Sequence, residues 1–389
     1  MSVDPPKNCR LSIIPGLEAT AISKYSYGVK KPIWSTIDKY NLKVKIGHGT
    51  FGEVYRAHRK SDRKVVAIKR FVEDSELLIK SGFPITQMRE VLLIKRMVRS
   101  NYVTELIDVV MHIDSKTFAT TCYMVMPCYE ADLVGVLSNR FVLEVPHQKT
   151  IILQTLMGIA ALHSKRIIHR DLKTANIMIS VDGDIKIGDF GLAKPYNSLM
   201  ERFTPNVVTL WYRCPELLLG ERNYGTAIDI WSAGCILGEL QYKKPIMQSN
   251  TEQGQIQSIV KMVGPITEQT YAGCTALPKY KDIDSILMTD EDPMLRCTFE
   301  KGGKDYIDLL SKLLTLDPKK RITAAEAINH PYFDAKPKPA ANLKRVLDKI
   351  PNTAKFELNV RNKTSANAEP PSRKRKSEVM TKDIFSNRF

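Results

Sequence analysis

The chain has 389 residues, 43% of them hydrophobic, enough for one large packed domain or two ordinary ones. No apolar run approaches the roughly 18 residues that a membrane span requires, and the N-terminus MSVDPPKNCR lacks a signal-peptide core. Seven scattered cysteines without a C-x-x-C pair argue against a disulfide framework or zinc ribbon, so a soluble, unsecreted protein in a reducing compartment is expected; the net charge of +16 is half concentrated in residues 334–389, where 14 Lys and Arg face 6 Asp and Glu.

Residues 1–39 read as irregular, with prolines at 5, 6, 15 and 32. From Tyr40 the pattern turns to short alternating strands, NLKVKIG, GEVYRAH and KVVAIKRF. The first two flank IGHGTFGEVY, a G-x-G-x-x-G-x-V from Gly47 to Val54. A strand follows this turn and not a helix, which counts against a dinucleotide fold and suggests a hairpin lid whose bare backbone can approach phosphates. In VVAIKR the two-residue period puts Ala67 and Lys69 on one face, leaving room for a flat ring beside a cation.

PITQMRE, residues 84–90, opens a helix with proline and closes on Arg89 and Glu90. Helical neighbours point about 100° apart, so each of these charges needs its own partner. Alone, the pair would read as a solvated face. VTELIDVVM and ATTCYMVM read as further strands. After Asp132 helical spacing dominates, as in TIILQTLMGIAALHS and AIDIWSAGCILGELQ. A small sheet-rich half followed by a larger helical half implies two lobes with a crevice between them.

HRDLKTAN spans His169 to Asn176 and is followed by IMISVDGDIKIGDFG. Taking Asp182-Gly183 as a two-residue hairpin loop pairs Val181 with Asp184 and sets Asn176 opposite Asp189. Two oxygen-bearing side chains there suit Mg²⁺, which takes few protein oxygens and completes its shell with phosphate and water. Asp171, on the same loop, is placed to accept a proton from an incoming hydroxyl. Each residue alone reads as an ordinary turn former, but that reading is improbable for all of them in this order. The tail, with AKPKPAAN and TSANAEPPSRKRKSE, is expected to stay largely disordered. Its basic run Arg373 to Lys376 suits nuclear import, an acidic partner or solubility alone.

The Gly-rich loop, V-A-I-K, helix glutamate, H-R-D-L-x-x-x-N, D-F-G and Pro215-Glu216 follow in the order of the eukaryotic protein kinases, which the chain resembles over roughly residues 40–333. The resemblance implies an α+β, two-lobed fold: a β-rich N-lobe at 40–126 and a hinge and helical C-lobe at 127–333, between an extension (1–39) and the tail (334–389). PITQMRE resembles the helix that cyclin-dependent kinases present to their cyclin. FPIT, VVTLWYR, PELLLG and KKPIMQSNTEQ are most similar to members that pair with T-type cyclins and act on the RNA polymerase II C-terminal repeats. A nuclear serine/threonine kinase using ATP and Mg²⁺ is thereby expected. A cell-cycle member and a silent cyclin-binding scaffold stay open as alternatives, although silent members usually lose Lys69, Asp171 or Asp189, all present here.

The same resemblance implies the site. Ile46, Gly47, His48, Gly49, Thr50, Phe51, Gly52, Glu53 and Val54 would cover the nucleotide. Adenine would lie between Val54 and Ala67 above and Met178 below, with Met126 as gatekeeper, Pro127 opening the hinge and Tyr129 supplying an N–H. Asp132 would take the ribose, and Lys69, steadied by Glu90, the α- and β-phosphates. Asn176 and Asp189 would hold the metal, Asp171 would orient the hydroxyl, and Lys173 would steady the γ-phosphate. Thr204 aligns with the activating threonine, its phosphate received by Arg89, Arg170 and Lys194. Arg213 would occupy the Val208 carbonyl and so select proline after the phosphoacceptor. Cys214, Lys194, Pro127 and Pro205 depart from the usual pattern; Glu216 can still pair with Arg321.

Overall fold

The computed structural model describes residues 35–49, 52–71, 85–97, 100–113, 120–139, 143–196, 204, 207–287, 292–351 and 356. The run Arg373 to Lys376, Thr50, Phe51 and Pro205 lie outside them, as does the extension up to residue 34. No described helix is long and apolar enough to cross a membrane.

The small lobe is one sheet of six strands: β1 (Ser35–Thr36), β2 (Tyr40–Gly49), β3 (Gly52–Arg59), β4 (Val65–Phe71), β5 (Asp108–Ile113) and β6 (Thr120–Pro127). Their spatial order is β1-β5-β6-β4-β3-β2. The alternation read in VVAIKR places Val66 and Ile68 in a compact core with Tyr40, Ala57, Val110 and Val125. Helix α1 (Ile85–Arg96) covers the other face, burying Glu90, Val91, Leu93 and Ile94. Two strand limits differ from the sequence reading. Ser35 and Thr36, within the stretch read as irregular, pair parallel with β5, and the Ser35 hydroxyl donates to Asp108 at 2.8 Å. A two-residue strand carries no readable period. Conversely, Val103 to Ile107 were expected to join β5, but Val103 bridges Ile187 and the Thr104 N–H donates to the Ile187 carbonyl at 2.9 Å. Val103 and Thr104 are thereby tied to the large lobe, while the Ile107 N–H already donates to the Val125 carbonyl of the small-lobe sheet at 2.8 Å.

The large lobe carries α2 (Leu133–Leu137), α3 (Val145–Ser164), α4 (Ala227–Tyr242), α5 (Glu252–Val263) and α6 (Lys304–Leu313). Every residue of α4 from Ile228 to Leu240 is buried. A helix without a wet face runs through the middle of a domain, and α4 is the post on which the lobe packs. Two small sheets support the cleft: β10 (Ile185–Ile187), β9 (Ile177–Ile179) and β7 (Ala131–Asp132) form one, while β11 (Lys194–Pro195) pairs with β8 (Ile167–Ile168).

The β9–β10 register corrects the expected hairpin. Ile179 pairs with Ile185 and Ile177 with Ile187, one residue away from the two-residue scheme. The loop has three residues, because the Gly183 N–H closes a turn on the Ser180 carbonyl at 2.9 Å and Gly183 adopts a left-handed φ of 85°. Asn176 therefore stands opposite Gly188, whose N–H donates to its carbonyl at 2.9 Å. Asp189 lies one step beyond the ladder, itself at φ 53°.

The tail expectation is corrected for residues 335–351, which form an ordered strap on the large lobe; 352–355 and 357–389 lie outside the described residues. Lys149, at 2% exposure, donates to the Ala335 carbonyl at 2.7 Å, and Thr150 to the Ala340 carbonyl at 2.7 Å. Leu343, Val346, Leu347 and Ile350 are buried around α7 (Lys344–Asp348), and the Leu343 N–H donates to the Gly183 carbonyl at 2.9 Å. Their i, i+3, i+4, i+7 spacing is an amphipathic signal that the surrounding lysines and prolines mask. Leu343→Ala should cost about 2–4 kcal/mol and lower the thermal midpoint by several degrees. An unchanged calorimetric midpoint would show that the strap adds nothing to the lobe's stability.

Candidate active site

A cavity of about 640 Å³ lies between the lobes. Residues of β2 to β4 form its roof: Ile46, Gly47, Gly52, Val54, Ala67 and Lys69. Met126, Pro127, Tyr129 and Asp132 form its back, and Met178, Asn176, Asp171, Lys173 and Asp189 its floor. Glu53, expected among them, is not there. The two-residue period turns it away, and it accepts from Lys45 at 2.6 Å and from the Tyr55 hydroxyl at 2.7 Å. Asp132 caps α2 by accepting from the Gly135 N–H at 2.7 Å. The Tyr129 hydroxyl donates to Thr104 at 2.8 Å.

Lys69 is the cleft's central cation. Its Nζ donates to both carboxylate oxygens of Glu90 at 2.8 and 3.0 Å and to Asp189 Oδ1 at 3.1 Å. Burial works against the ammonium, but the two carboxylates outweigh it and hold the Lys69 pKa above its ordinary value. Burial likewise opposes the Asp189 carboxylate, yet Lys69 keeps its pKa below the usual range. Arg89, the other half of the pair at the end of PITQMRE, is exposed.

The catalytic loop hangs from α4. Asp229 accepts the backbone N–H groups of His169 at 2.9 Å and Arg170 at 3.0 Å, and its Oδ2 lies 2.9 Å from His163 Nε2. His169 Nε2 lies 2.9 Å from the Gly188 carbonyl, which can only accept, so this nitrogen carries the proton. Its Nδ1 then accepts the Asp171 N–H at 3.3 Å, and Phe190 packs edge-on at 5.0 Å. Asp171 is thus positioned from behind, and its carboxylate is shared. Lys173 Nζ donates to Oδ2 at 2.8 Å, the Thr209 hydroxyl to Oδ1 at 2.8 Å, and Asn176 Nδ2 to Oδ2 at 3.2 Å. Thr209 and Asp229 were missed from sequence. Thr209 sits in the quoted VVTLWYR, and Asp229 is one of two acids in a largely apolar helix.

These residues fit a divalent cation. Asn176 Nδ2 is spent on the Asp171 carbonyl at 2.7 Å, which leaves its amide oxygen as the available ligand atom beside the ionised Asp189. Hard oxygens and no sulfur suit a hard cation.

Around Thr204 the structure brings together part of what was expected. Thr204 is exposed, and its carbonyl accepts from the Tyr224 hydroxyl at 2.9 Å. Arg170 donates to that same hydroxyl at 3.2 Å and to the Leu192 carbonyl at 2.7 Å. Tyr224, unremarked in the sequence, joins the catalytic loop to Thr204. Lys194 pairs with Ile168 across β8 and β11. Farther along, Val208 is held at φ 68°, and its carbonyl accepts Arg213 Nη2 at 3.0 Å and Nε at 3.3 Å. Arg321 grips Glu216 with two bonds, at 2.8 and 3.0 Å.

Comparison with known proteins agrees with this geometry. Residues 40–333 match the protein kinase domain family. Cyclin-dependent kinase 9 of Danio rerio is 39% identical over 348 residues, covering 86% of this chain and 91% of that one. The crystal structure of the yeast RNA Pol II CTD kinase CTDK-1 complex includes a chain that matches with a TM-score of 0.69 at 34% identity, over 81% of this chain and 99% of that chain. A chain of the CAK complex of Chaetomium thermophilum bound to ATP-gamma-S matches with a TM-score of 0.67 at 33% identity, over 78% and 93%.

Glu239, also unread in the sequence, is a buried carboxyl lining the same cavity. Burial lifts its pKa to about 7, although the hydroxyls of Tyr212 at 2.6 Å and Thr174 at 3.3 Å oppose the rise. Between the unfolded value near 4.5 and about 7, the native state holds a proton that the unfolded chain lacks. Stability must therefore fall as pH rises through that window, by an amount on the order of 3 kcal/mol at full ionisation. Glu239→Gln keeps an acceptor for Tyr212 and removes the titration. Calorimetry from about pH 5 to about pH 8 should show the wild type losing more thermal stability than the variant; parallel curves would refute this.

Proposed function

The chain belongs to the protein kinase family, as an ATP-dependent serine/threonine kinase of the cyclin-dependent branch, and from that premise we propose that it phosphorylates Ser-Pro and Thr-Pro sites of the RNA polymerase II C-terminal repeats when bound to a T-type cyclin. One observation carries the chemistry: Lys69, Asp171, Asn176 and Asp189 converge on a single cleft, and beyond it Arg213 occupies the Val208 carbonyl. The relatives, one described as a cyclin-dependent kinase and another as an RNA Pol II CTD kinase, support the substrate and a cyclin partner, and the T-type choice rests on the resemblance of FPIT, VVTLWYR, PELLLG and KKPIMQSNTEQ.

Lys69, held by Glu90, takes the α- and β-phosphates, and Asn176 and Asp189 would hold Mg²⁺. ATP supplies the γ-phosphoryl, and a bound cation would neutralise charge on it. Asp171 receives the substrate hydroxyl and orients it toward that phosphoryl, accepting its proton. Lys173, already 2.8 Å from Asp171, steadies the negative charge on the phosphoryl. Proline after the phosphoacceptor has no N–H to bury. Any other residue would leave a donor facing a carbonyl that Arg213 already occupies, at a cost of about 1–3 kcal/mol.

The decisive assay uses the cyclin-bound kinase with matched Ser-Pro and Ser-Ala peptides and Asp171→Asn as the blank. Wild type should favour Ser-Pro by at least about tenfold, and the variant should bind ATP normally while turnover disappears. Equal rates on both peptides, or undiminished turnover by the variant, would overturn the reading.

Thr204 is the proposed activation site. A phosphate there would bring nearly two negative charges to a residue already tied through Tyr224 to Arg170, with Arg89 and Lys194 as further receivers. Arginine grips phosphate through a planar fork and lysine as a point charge, so Lys194 is the looser of the three. Thr204→Ala should lower the activity of the cyclin complex at least about tenfold. Full activity, with the wild-type complex shown by mass spectrometry to be phosphorylated there, would dismiss the clamp.

A further inference from the structure

This inference rests on the proline-directed reading and concerns what keeps Arg213 in place. Val208 is β-branched and held left-handed at φ 68°, a conformation that such a residue keeps only where its surroundings impose it. The guanidinium reaches that carbonyl through contacts of 3.0 and 3.3 Å. Its shorter bond runs elsewhere: Nη1 lies 2.7 Å from Glu252 Oε1. A charge-assisted bond to carboxylate is about twice as strong as a neutral one, so Glu252 dominates the placement of the fork.

Glu252 is itself fixed from two sides. It is the first residue of α5, whose cap Thr251 accepts the Gly254 N–H at 3.1 Å. Its second oxygen accepts Lys279 Nζ at 2.7 Å, and the Lys279 backbone N–H donates to the Leu219 carbonyl at 3.0 Å. Burial favours the neutral acid, but the two cations outweigh it and keep the Glu252 pKa below its ordinary value. A flexible arginine without its carboxylate regains rotamer freedom and access to water, both of which draw it off a neutral carbonyl.

We infer that Glu252, braced by Lys279, is a positioning residue that sets substrate specificity by locking the Arg213 fork over the Val208 carbonyl. Glu252 touches no reacting atom. Its loss frees the carbonyl to accept the N–H of a non-proline residue, so discrimination falls through faster use of Ser-Ala.

The test measures kcat/KM of the cyclin-bound kinase on Ser-Pro, Ser-Ala and Ser-N-methylalanine peptides. Glu252→Gln should reduce the Ser-Pro to Ser-Ala ratio at least about fivefold, roughly what one ordinary hydrogen bond is worth. The N-methylated peptide, having no N–H, should gain nothing from the substitution. Lys279→Met should act in the same direction by about twofold, and it decides the matter if Glu252→Gln does not fold. Ratios unchanged from wild type in both variants, with only the thermal midpoint moved, would reduce Glu252 to a structural tie and overturn the inference. Equal gains for Ser-Ala and the N-methylated peptide would overturn it too. A wild type that treats Ser-Pro and Ser-Ala alike would instead overturn the proline-directed reading, and the inference with it.

Discussion

A buried carboxylate is tolerable only when donors surround it, and Asp229 meets that condition with the parts the kinase most needs to place. Its donors are the backbone of His169 and Arg170 and the ring of His163. Arg170 is left-handed at φ 66°, a conformation that a non-glycine residue holds only when its surroundings impose it. The next residue is Asp171. The direction of the catalytic carboxylate is thus set by a chain of backbone geometry that ends in α4, buried without a break from Ile228 to Leu240.

From that anchor the remaining order spreads through charge. Lys69 carries the small lobe's share, because one ammonium joins strand β4 to Glu90 on α1 and to Asp189 on the floor of the cleft. Burial works against both carboxylates, and Lys69 is the cation that opposes it at each. Movement of α1 therefore alters the electrostatics around Asp189 directly, because both carboxylates share the one ammonium. The large lobe is tied similarly by Arg321, which meets Glu216 while lying 5.1 Å over the Trp231 ring.

Residues that act through local spacing were legible in the sequence. The alternation of VVAIKR sorted Val66 and Ile68 from Ala67 and Lys69, and the motif order brought Lys69, Glu90, Asp171, Asn176 and Asp189 toward one cleft. Where the reading failed, a competing local force was at work. Gly183 accepted a left-handed turn and moved the β9–β10 ladder by one residue, so Asn176 faces Gly188. Glu53 was grouped with its motif neighbours although a strand sends alternate residues opposite ways. Asp229, Glu239 and Glu252 were invisible for another reason. Their meaning lies in partners 60, 27 and 39 residues away, which no period encodes.

The strap has a consequence for how the molecule comes into being. Lys149 and Thr150 find their acceptors 186 and 190 residues downstream, at Ala335 and Ala340. A chain made from its N-terminus onward meets these contacts late, and the loop it must close is long. Until Ile350 has emerged, α3 and the β9–β10 turn present to the cell the apolar surface that Leu343, Val346 and Leu347 later cover. The large lobe is consequently finished by sequence beyond the 40–333 span that defines its family, and a chain cut to that span would leave this flank uncovered.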